Sequence, residues 1–157
     1  MDLLTKAEEE WDEATAGSLR FDIPLLAERL EAATRWVGAQ PGLAEMKVGY
    51  FGASTGAAAA LVAAAHLAAS VSAVVSRGGR PDLAGAALER VKAPTLLIVG
   101  GLDGVVIDLN RAAMGRLRCE KRMEIVPGAT HLFEEPGTLA NAAGLAAGWF
   151  LSHLTQA

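Results

Sequence analysis

Three residues spread along the chain are of the right types to act together as nucleophile, orienting acid and base: Ser54, Asp103 and His131. Ser54 lies in Gly52-Ala53-Ser54-Thr55-Gly56, a Gly-x-Ser-x-Gly pattern. A strand that reverses abruptly into a helix forces the central serine into a strained backbone conformation, and small residues two positions either side let the turn close. The hydroxyl is then exposed above a helix N-terminus, where developing negative charge is favoured. Asp103, in Gly100-Gly101-Leu102-Asp103-Gly104, can orient an imidazole and stabilise its cation. His131, in Pro127-Gly128-Ala129-Thr130-His131-Leu132-Phe133, sits on a loop from which an imidazole can reach over a sheet edge as general base.

Each residue also has a simpler reading. The glycines around Ser54 suit a tight turn needed only for packing. Asp103 suits the N-cap of a helix starting at Val105. Asp108 is a reserve acid, although it falls inside that helix. His66 and His153 read as packed or surface residues. Three scattered histidines without Cys or carboxylate at ligand spacing do not make a zinc site. Cys119 reads as a small buried residue. Arg77 and Arg80 follow a strand on the same side as the candidate triad. They have the fork geometry to hold a substrate carboxylate, although solvated arginines are the commoner outcome.

The elements that must position these groups follow from hydrophobic period and punctuation. Glu8 to Ser18 is polar and reads as a loop or short helix. Asp22 as N-cap, Pro24 in the first turn and apolar spacing predict a helix over Ile23–Ala39, ended by Gln40-Pro41-Gly42. Strands are predicted over Met46–Phe51, Val71–Ser76, Thr95–Val99 and Lys121–Val126. Helices are predicted over Thr55–Ala69, Val105–Leu117 and Gly137–Leu154, with a short one capped by Asp82 and running through Leu88. Trp36 and Trp149 fit apolar helix faces and read as core. Strands apolar on both faces, alternating with helices, belong in a mostly parallel sheet covered on each face by helices: an α/β fold in one domain over 1–157. In such sheets sites lie beyond the carboxyl ends of the strands, where Ser54, Asp103 and His131 all fall.

Composition narrows the function classes. With 157 residues the chain buries a core of ordinary size, and 52% hydrophobic residues exclude a disordered chain. Fourteen Lys and Arg against 18 Asp and Glu give a net charge of −4, without a basic stripe for nucleic acid or an anionic membrane. One cysteine suits a reducing cytoplasm, and no secretory signal opens the chain. The apolar stretch from Ser54 to Ser76 has the length of a membrane span. An Ala-rich first half and a β-branched second half divide it into a buried helix and a buried strand.

The order Ser, Asp, His in these strand contexts resembles the α/β-hydrolase fold. The stretches from Val48 to Gly56, Leu97 to Asp103 and Pro127 to Phe133 are similar to the dienelactone-hydrolase-like branch, which in some bacterial relatives is joined to a phosphoribosyltransferase domain. The resemblance implies Ser54 as nucleophile, His131 as base, Asp103 as orienting acid and the Thr55 backbone N–H as oxyanion donor, with no cofactor. Dienelactone hydrolase itself carries cysteine at the nucleophile position. Serine here implies a carboxylic ester or lactone hydrolase acting on a small substrate. The fold normally has further strands before the nucleophile and a second oxyanion donor on one of their loops. This chain has neither, so the fold is expected to be truncated, with an open edge at Met46–Phe51 completed by another N-terminal segment or by a homodimer. The alternative function is a catalytically silent hydrolase-fold module acting by association. A nucleotide binder ranks last, since Gly52–Gly56 lacks the lysine of a phosphate-binding loop.

Overall fold

In the computed structural model, which describes residues 1–15 and 17–155, the four strands form one sheet in chain order. They are β1 (Val48–Ala53), β2 (Val71–Arg77), β3 (Thr95–Gly100) and β4 (Lys121–Val126), and every neighbouring pair is parallel. Parallel neighbours require crossovers. These are α3 (Thr55–His66), a 3₁₀ segment Pro81–Arg90 and α4 (Gly104–Arg116). Two helices, α1 (Lys6–Ala14) and α2 (Ile23–Gly38), precede the sheet, and α5 (Thr138–Leu154) follows it. The α/β architecture with a parallel sheet between helical layers is the one expected.

The two faces are covered unequally. On one face Leu26 of α2, Leu61 of α3, Val74 of β2 and Leu88 pack in one core, with α3 in the middle. Alanine is what lets α3 occupy that place. Ala57 to Ala60, Ala63 and Ala64 are all buried, so the helix approaches the sheet, α2 and the 3₁₀ segment closely, while alanine also has the best helix propensity. On the other face α5 brings Ala142, Ala146 and Trp149 against Val75, Leu96 and Ile98, joined by Ala129 and Phe133 from the loop after β4. The Trp149 indole N–H donates to the Pro94 carbonyl at 3.3 Å. β3 is buried at all six positions, as a central parallel strand should be. The edge strand β4 is largely exposed and carries Lys121, Arg122 and Glu124.

Several boundaries differ from the sequence reading, each for a tertiary or capping reason. β1 begins at Val48, not Met46, and runs on to Ala53, because its register with β2 continues through Gly52↔Ser76 and Ala53↔Arg77. α3 stops at His66: the Leu67 amide closes on the Ala63 carbonyl at 2.8 Å and the chain turns to bring Val71 beside Val48. The apolar stretch from Ser54 to Ser76 is thus a helix and a strand, and no helix of the described residues is long and apolar enough to cross a membrane. Asp82 caps nothing; Arg80 holds its carboxylate, and the segment behind it is 3₁₀, broken where Gly85 takes φ +53°. Trp36 is 62% exposed, a correction to its assignment as core, because α2 turns that side away from α3.

The polar stretch at Glu8 to Ser18, whose Ala16 lies outside the described residues, is largely helix α1. Its start is a capping box: the Thr5 hydroxyl accepts from the Glu8 amide, and the Glu8 carboxylate accepts from the Thr5 amide. Both Glu8 oxygens also accept from Arg29 of α2, at 2.6 and 2.7 Å. Those bonds, Arg29 foremost, hold the Glu8 carboxyl down at about 2 from its ordinary 4.5. Buried Asp12 is pushed up by its burial, but bonds from Arg20 and from the Leu19 and Arg20 amides outweigh this and lower it overall.

This packing makes two features testable. A β-carbon on Gly52 would lie 2.5 Å from the Gly56 carbonyl oxygen and 2.6 Å from the Ala57 α-carbon, whereas one on Gly56 meets nothing within 4 Å. Gly52→Ala therefore forces helix backbone to move and costs about 1–3 kcal/mol, while Gly56→Ala stabilises by about 0.5–1 kcal/mol. Urea unfolding of both variants checks this, and equal effects would refute it. The open space at Gly56 corrects the expectation that both flanking glycines are sterically required. The second feature concerns acid. A carboxyl with a depressed folded pKa stabilises fully above its unfolded value, and that contribution is lost as pH falls through the folded value. α1 should thus loosen from α2 between about pH 4.5 and about pH 2, seen as lower amide protection in α1, relative to the unstructured rate at each pH, while β3 stays protected; unchanged α1 protection at pH 2.5 would contradict it.

Candidate active site

Ser54 stands between the last residue of β1 and the first of α3 with φ +49° and ψ −122°. An L-residue seldom adopts that conformation, and it persists only where its surroundings impose it. Here they do. The Ser54 amide donates to the Arg77 carbonyl at the end of β2 (3.4 Å), and its carbonyl accepts from the amides of Ala57 (3.2 Å) and Arg80 (3.0 Å). The strand and helix that the serine joins lie so close that position 52 admits only glycine. Thr55 is the first residue of α3, and its N–H is one of those a helix leaves without an internal acceptor.

Asp103 occupies the N-cap position of α4, yet its side chain makes no capping bond. The carboxylate instead turns to His131, with Oδ2 2.7 Å from Nδ1. A carboxylate only accepts, so Nδ1 carries the proton, and the neutral imidazole keeps its lone pair on Nε2. The loops bearing the two residues are locked together. The Leu102 amide donates to the Ala129 carbonyl at 2.9 Å, and a β-carbon on Gly100 would lie 2.5 Å from that same oxygen. The acid is mostly shielded and the histidine is partly open to solvent.

His131 reaches the serine's neighbourhood through the turn after β2. A β-carbon on Gly78 would sit 3.0 Å from the His131 carbonyl oxygen and 3.8 Å from its ring carbon Cε1. Two residues on, Arg80 bonds the Ser54 carbonyl. Ser54, Asp103 and His131 thus stand on one rim of the sheet, at the carboxyl ends of β1, β3 and β4. Among the described residues the acid and the histidine share a hydrogen bond, and none joins the Ser54 hydroxyl to His131. Such bonds are often long in an unliganded site and tighten around substrate.

The other candidates are engaged elsewhere. Arg80 forks onto Asp82 with bonds of 2.9 and 2.8 Å, which holds it in its charged form more firmly. Arg77 turns toward the histidine loop, donating from Nη1 to the Leu132 carbonyl at 3.3 Å and lying over the Phe133 ring. Asp108 is exposed and pairs with Arg111 on its own helix. His66 pairs with Glu31, and His153 with Glu120 and the Trp149 carbonyl, both away from this rim. Cys119 is half-buried, with Sγ 3.8 Å from the Thr95 hydroxyl. Among the described residues no group of His, Cys, Asp and Glu is placed to hold a metal ion.

Sequence reasoning missed the residues that hold the loops. The Thr130 amide and hydroxyl both donate to Glu135, at 3.0 and 2.6 Å, which lowers the Glu135 carboxyl. Phe133 is buried with φ +59°; it and Ser54 are the non-glycine residues of positive φ among those described. Only the paired Gly78-Gly79 after a strand signalled a close approach there.

Several known proteins are similar to this chain. A dienelactone hydrolase of Anabaena variabilis is 59% identical and superposes with a TM-score of 0.93, the match covering 98% of this chain and 70% of that one. A dienelactone hydrolase-like promiscuous phosphotriesterase from metagenomic libraries shares the fold at 20% identity, with a TM-score of 0.70 over 90% of this chain and 66% of that one. Two proteins of Mycobacterium tuberculosis strains, each named "Putative phosphoribosyl transferase", are 59% identical over 153 residues, or 98% of this chain. The match covers 33% of those proteins, so the chain spans about a third of the length of the curated relatives it matches. Residues 4–153 match the dienelactone hydrolase family, and with that the strained serine turn and the acid–imidazole pair have a common setting: the chain belongs to the dienelactone hydrolase family.

Proposed function

We propose that the chain is a serine hydrolase that cleaves a carboxylic ester or lactone of a small substrate through an acyl-enzyme. Family membership supports a hydrolase. The observation that carries the finer reading is the 2.7 Å bond between Asp103 and His131, made in place of the helix cap that Asp103 would otherwise supply. An acid withdrawn from a cap to hold an imidazole in one tautomer, on the rim that also carries a strained, half-buried serine, matches what acyl transfer requires.

In this mechanism the Ser54 oxygen attacks the carbonyl carbon while His131 Nε2 takes the hydroxyl proton. The oxyanion is stabilised by the Thr55 N–H and the N-terminus of α3. His131 returns the proton to the departing alkoxide, the C–O bond breaks, and Ser54 is left acylated. Water, deprotonated by His131, then attacks the acyl carbon, the bond from the acyl carbon to the Ser54 oxygen breaks, His131 returns the proton to that oxygen, and the acid is released. Asp103 stabilises the imidazolium at each stage without taking its proton. The phosphoribosyl transferase name belongs to proteins three times as long, and no transfer of that kind is assigned to these residues.

A second reading is a silent module that works by association, either with itself or with a further segment that completes the sheet. What favours it is β1: an edge strand with no charged residue, whose Phe51 is 52% exposed. Natural sheets usually protect their edges with charge, as β4 is protected here.

The readings separate by experiment. Under the hydrolase reading a fluorophosphonate labels the protein at Ser54, as peptide mass mapping identifies. Labelling disappears in Ser54→Ala and His131→Ala, and turnover falls about 10⁴-fold in Asp103→Asn. A folded protein that takes no label at Ser54 would be the silent module. The association reading expects dimers or larger species in light scattering at micromolar concentration, abolished when Phe51→Lys places charge on the β1 edge; a monodisperse monomer counts against it.

A further inference from the structure

We infer that Arg77 is a positioning residue that sets His131 against Ser54, an inference that rests on the hydrolase reading above. The geometry is unusual because one residue touches both halves of the site. Arg77 ends β2, paired across from Ala53 on one side and Ile98 on the other. Its carbonyl accepts the Ser54 amide, so its backbone helps hold the strained serine. Its side chain crosses in the opposite sense, from the sheet to the histidine loop, where Nη1 bonds the Leu132 carbonyl and Cζ stands 5.3 Å from the centre of the Phe133 ring.

That loop has few other ties to the serine. On the near side of His131, Thr130 is held by Glu135, but Glu135 belongs to the same loop and moves with it. On the far side, Leu132 is 61% exposed and gains no apolar anchor. Phe133 packs in the core with Val75 of β2, Ile98 of β3 and Trp149 of α5, which anchors the far end of the loop, yet its left-handed conformation costs backbone energy, so Arg77 lying over the ring adds to what holds the turn. The bond from His131 to Asp103 orients the ring about its Nδ1 edge and says nothing of how far Nε2 stands from Ser54. The polar link from β2 to the residue beside His131 is the Arg77 side chain, and Gly78, whose missing side chain lets the His131 backbone come close, works with it to set this distance. A guanidinium fits such a role. It is charged at every working pH, donates in a plane and stacks on an aromatic face, which a solvated lysine does less well.

This assignment differs from a substrate-binding role, and the two are separable. Arg77→Met keeps much of the side chain's length and apolar contact but removes the donor and the charge. With p-nitrophenyl acetate, a neutral ester, positioning predicts a fall in kcat and in the fluorophosphonate labelling rate of about 10- to 100-fold, since an ångström of misplacement costs on that order. KM should change less than about twofold, and Arg77→Lys should recover part of the loss through its remaining donor and cation–π contact. Thermal unfolding of the variants confirms that they are folded. A change confined to KM for an ester bearing a carboxylate, with the neutral ester unaffected, would overturn positioning in favour of substrate binding, and unchanged kinetics would overturn it outright. If the wild-type protein neither turns over nor labels, the hydrolase reading has failed. The placement of the loop still decides on Arg77 in that case: the His131 ring resonances and the amide exchange of 130–133 must change in Arg77→Met, and their identity with wild type would overturn the assignment.

Discussion

The closeness of α3 to β1 governs most of what this structure can do. A helix whose inward side is alanine lies on the sheet near enough that Gly52 has no room for a side chain, and the chain must reverse within one residue to achieve it. Ser54 is that residue, and its left-handed φ is the geometric consequence. The same closeness aims the first amides of α3 at the space above the serine. Had this helix been built from leucines it would stand further from the sheet, the turn could relax, and the hydroxyl would lose its fixed place.

Around this turn the remaining groups are placed by loops that hold one another. The Asp103 loop is bonded to the histidine loop through Leu102 and Ala129, and the histidine loop approaches the serine turn at Gly78. Charged side chains do the fastening: Asp103 on His131, Glu135 on Thr130, Arg77 on Leu132, Arg80 on Asp82. Each of these bonds gives up solvation, and several sit at half-exposed positions where an ion pair is worth little for stability. Their value lies in fixing geometry. Among the described residues, the two non-glycines with positive φ, Ser54 and Phe133, both belong to this rim, consistent with strain collected at a site and offset by packing elsewhere.

The two edges of the sheet have opposite character. β4 alternates charge along its exposed side, a common defence against pairing with other strands. β1 offers uncharged backbone and the ring of Phe51. Beside it, Leu3 and Leu4 pack against the core under α2, and Arg29 fastens the Leu3 carbonyl and Glu8, so the N-terminal helices cover the helix side of β1 without pairing its edge. Ser54 stands at the end of this same strand, so whatever covers the β1 edge also borders the serine turn.

Much of this was legible in the chain. Alternating apolar strands and helices set the parallel α/β sheet, because each strand buried on both faces must be apolar throughout. The Gly-x-Ser-x-Gly pattern marked the turn, since only a glycine tolerates the contact at position 52. Capping chemistry at Asp22 read directly, and that at Thr5 and Glu8 was present in the sequence but hidden within a stretch too polar for an apolar period. What the sequence left open was decided by contacts between residues far apart. Asp103 could serve as cap or as acid, and only the approach of the 127–136 loop brought the imidazole that took its carboxylate. Arg77 and Arg80 looked alike as cations after a strand, until packing gave one a carboxylate two residues away and the other a carbonyl and a ring 55 and 56 positions on. Spacing along a chain records what each element is, because period and propensity are local; which partner a polar side chain finds depends on which loops meet, and that is settled only when the layers close.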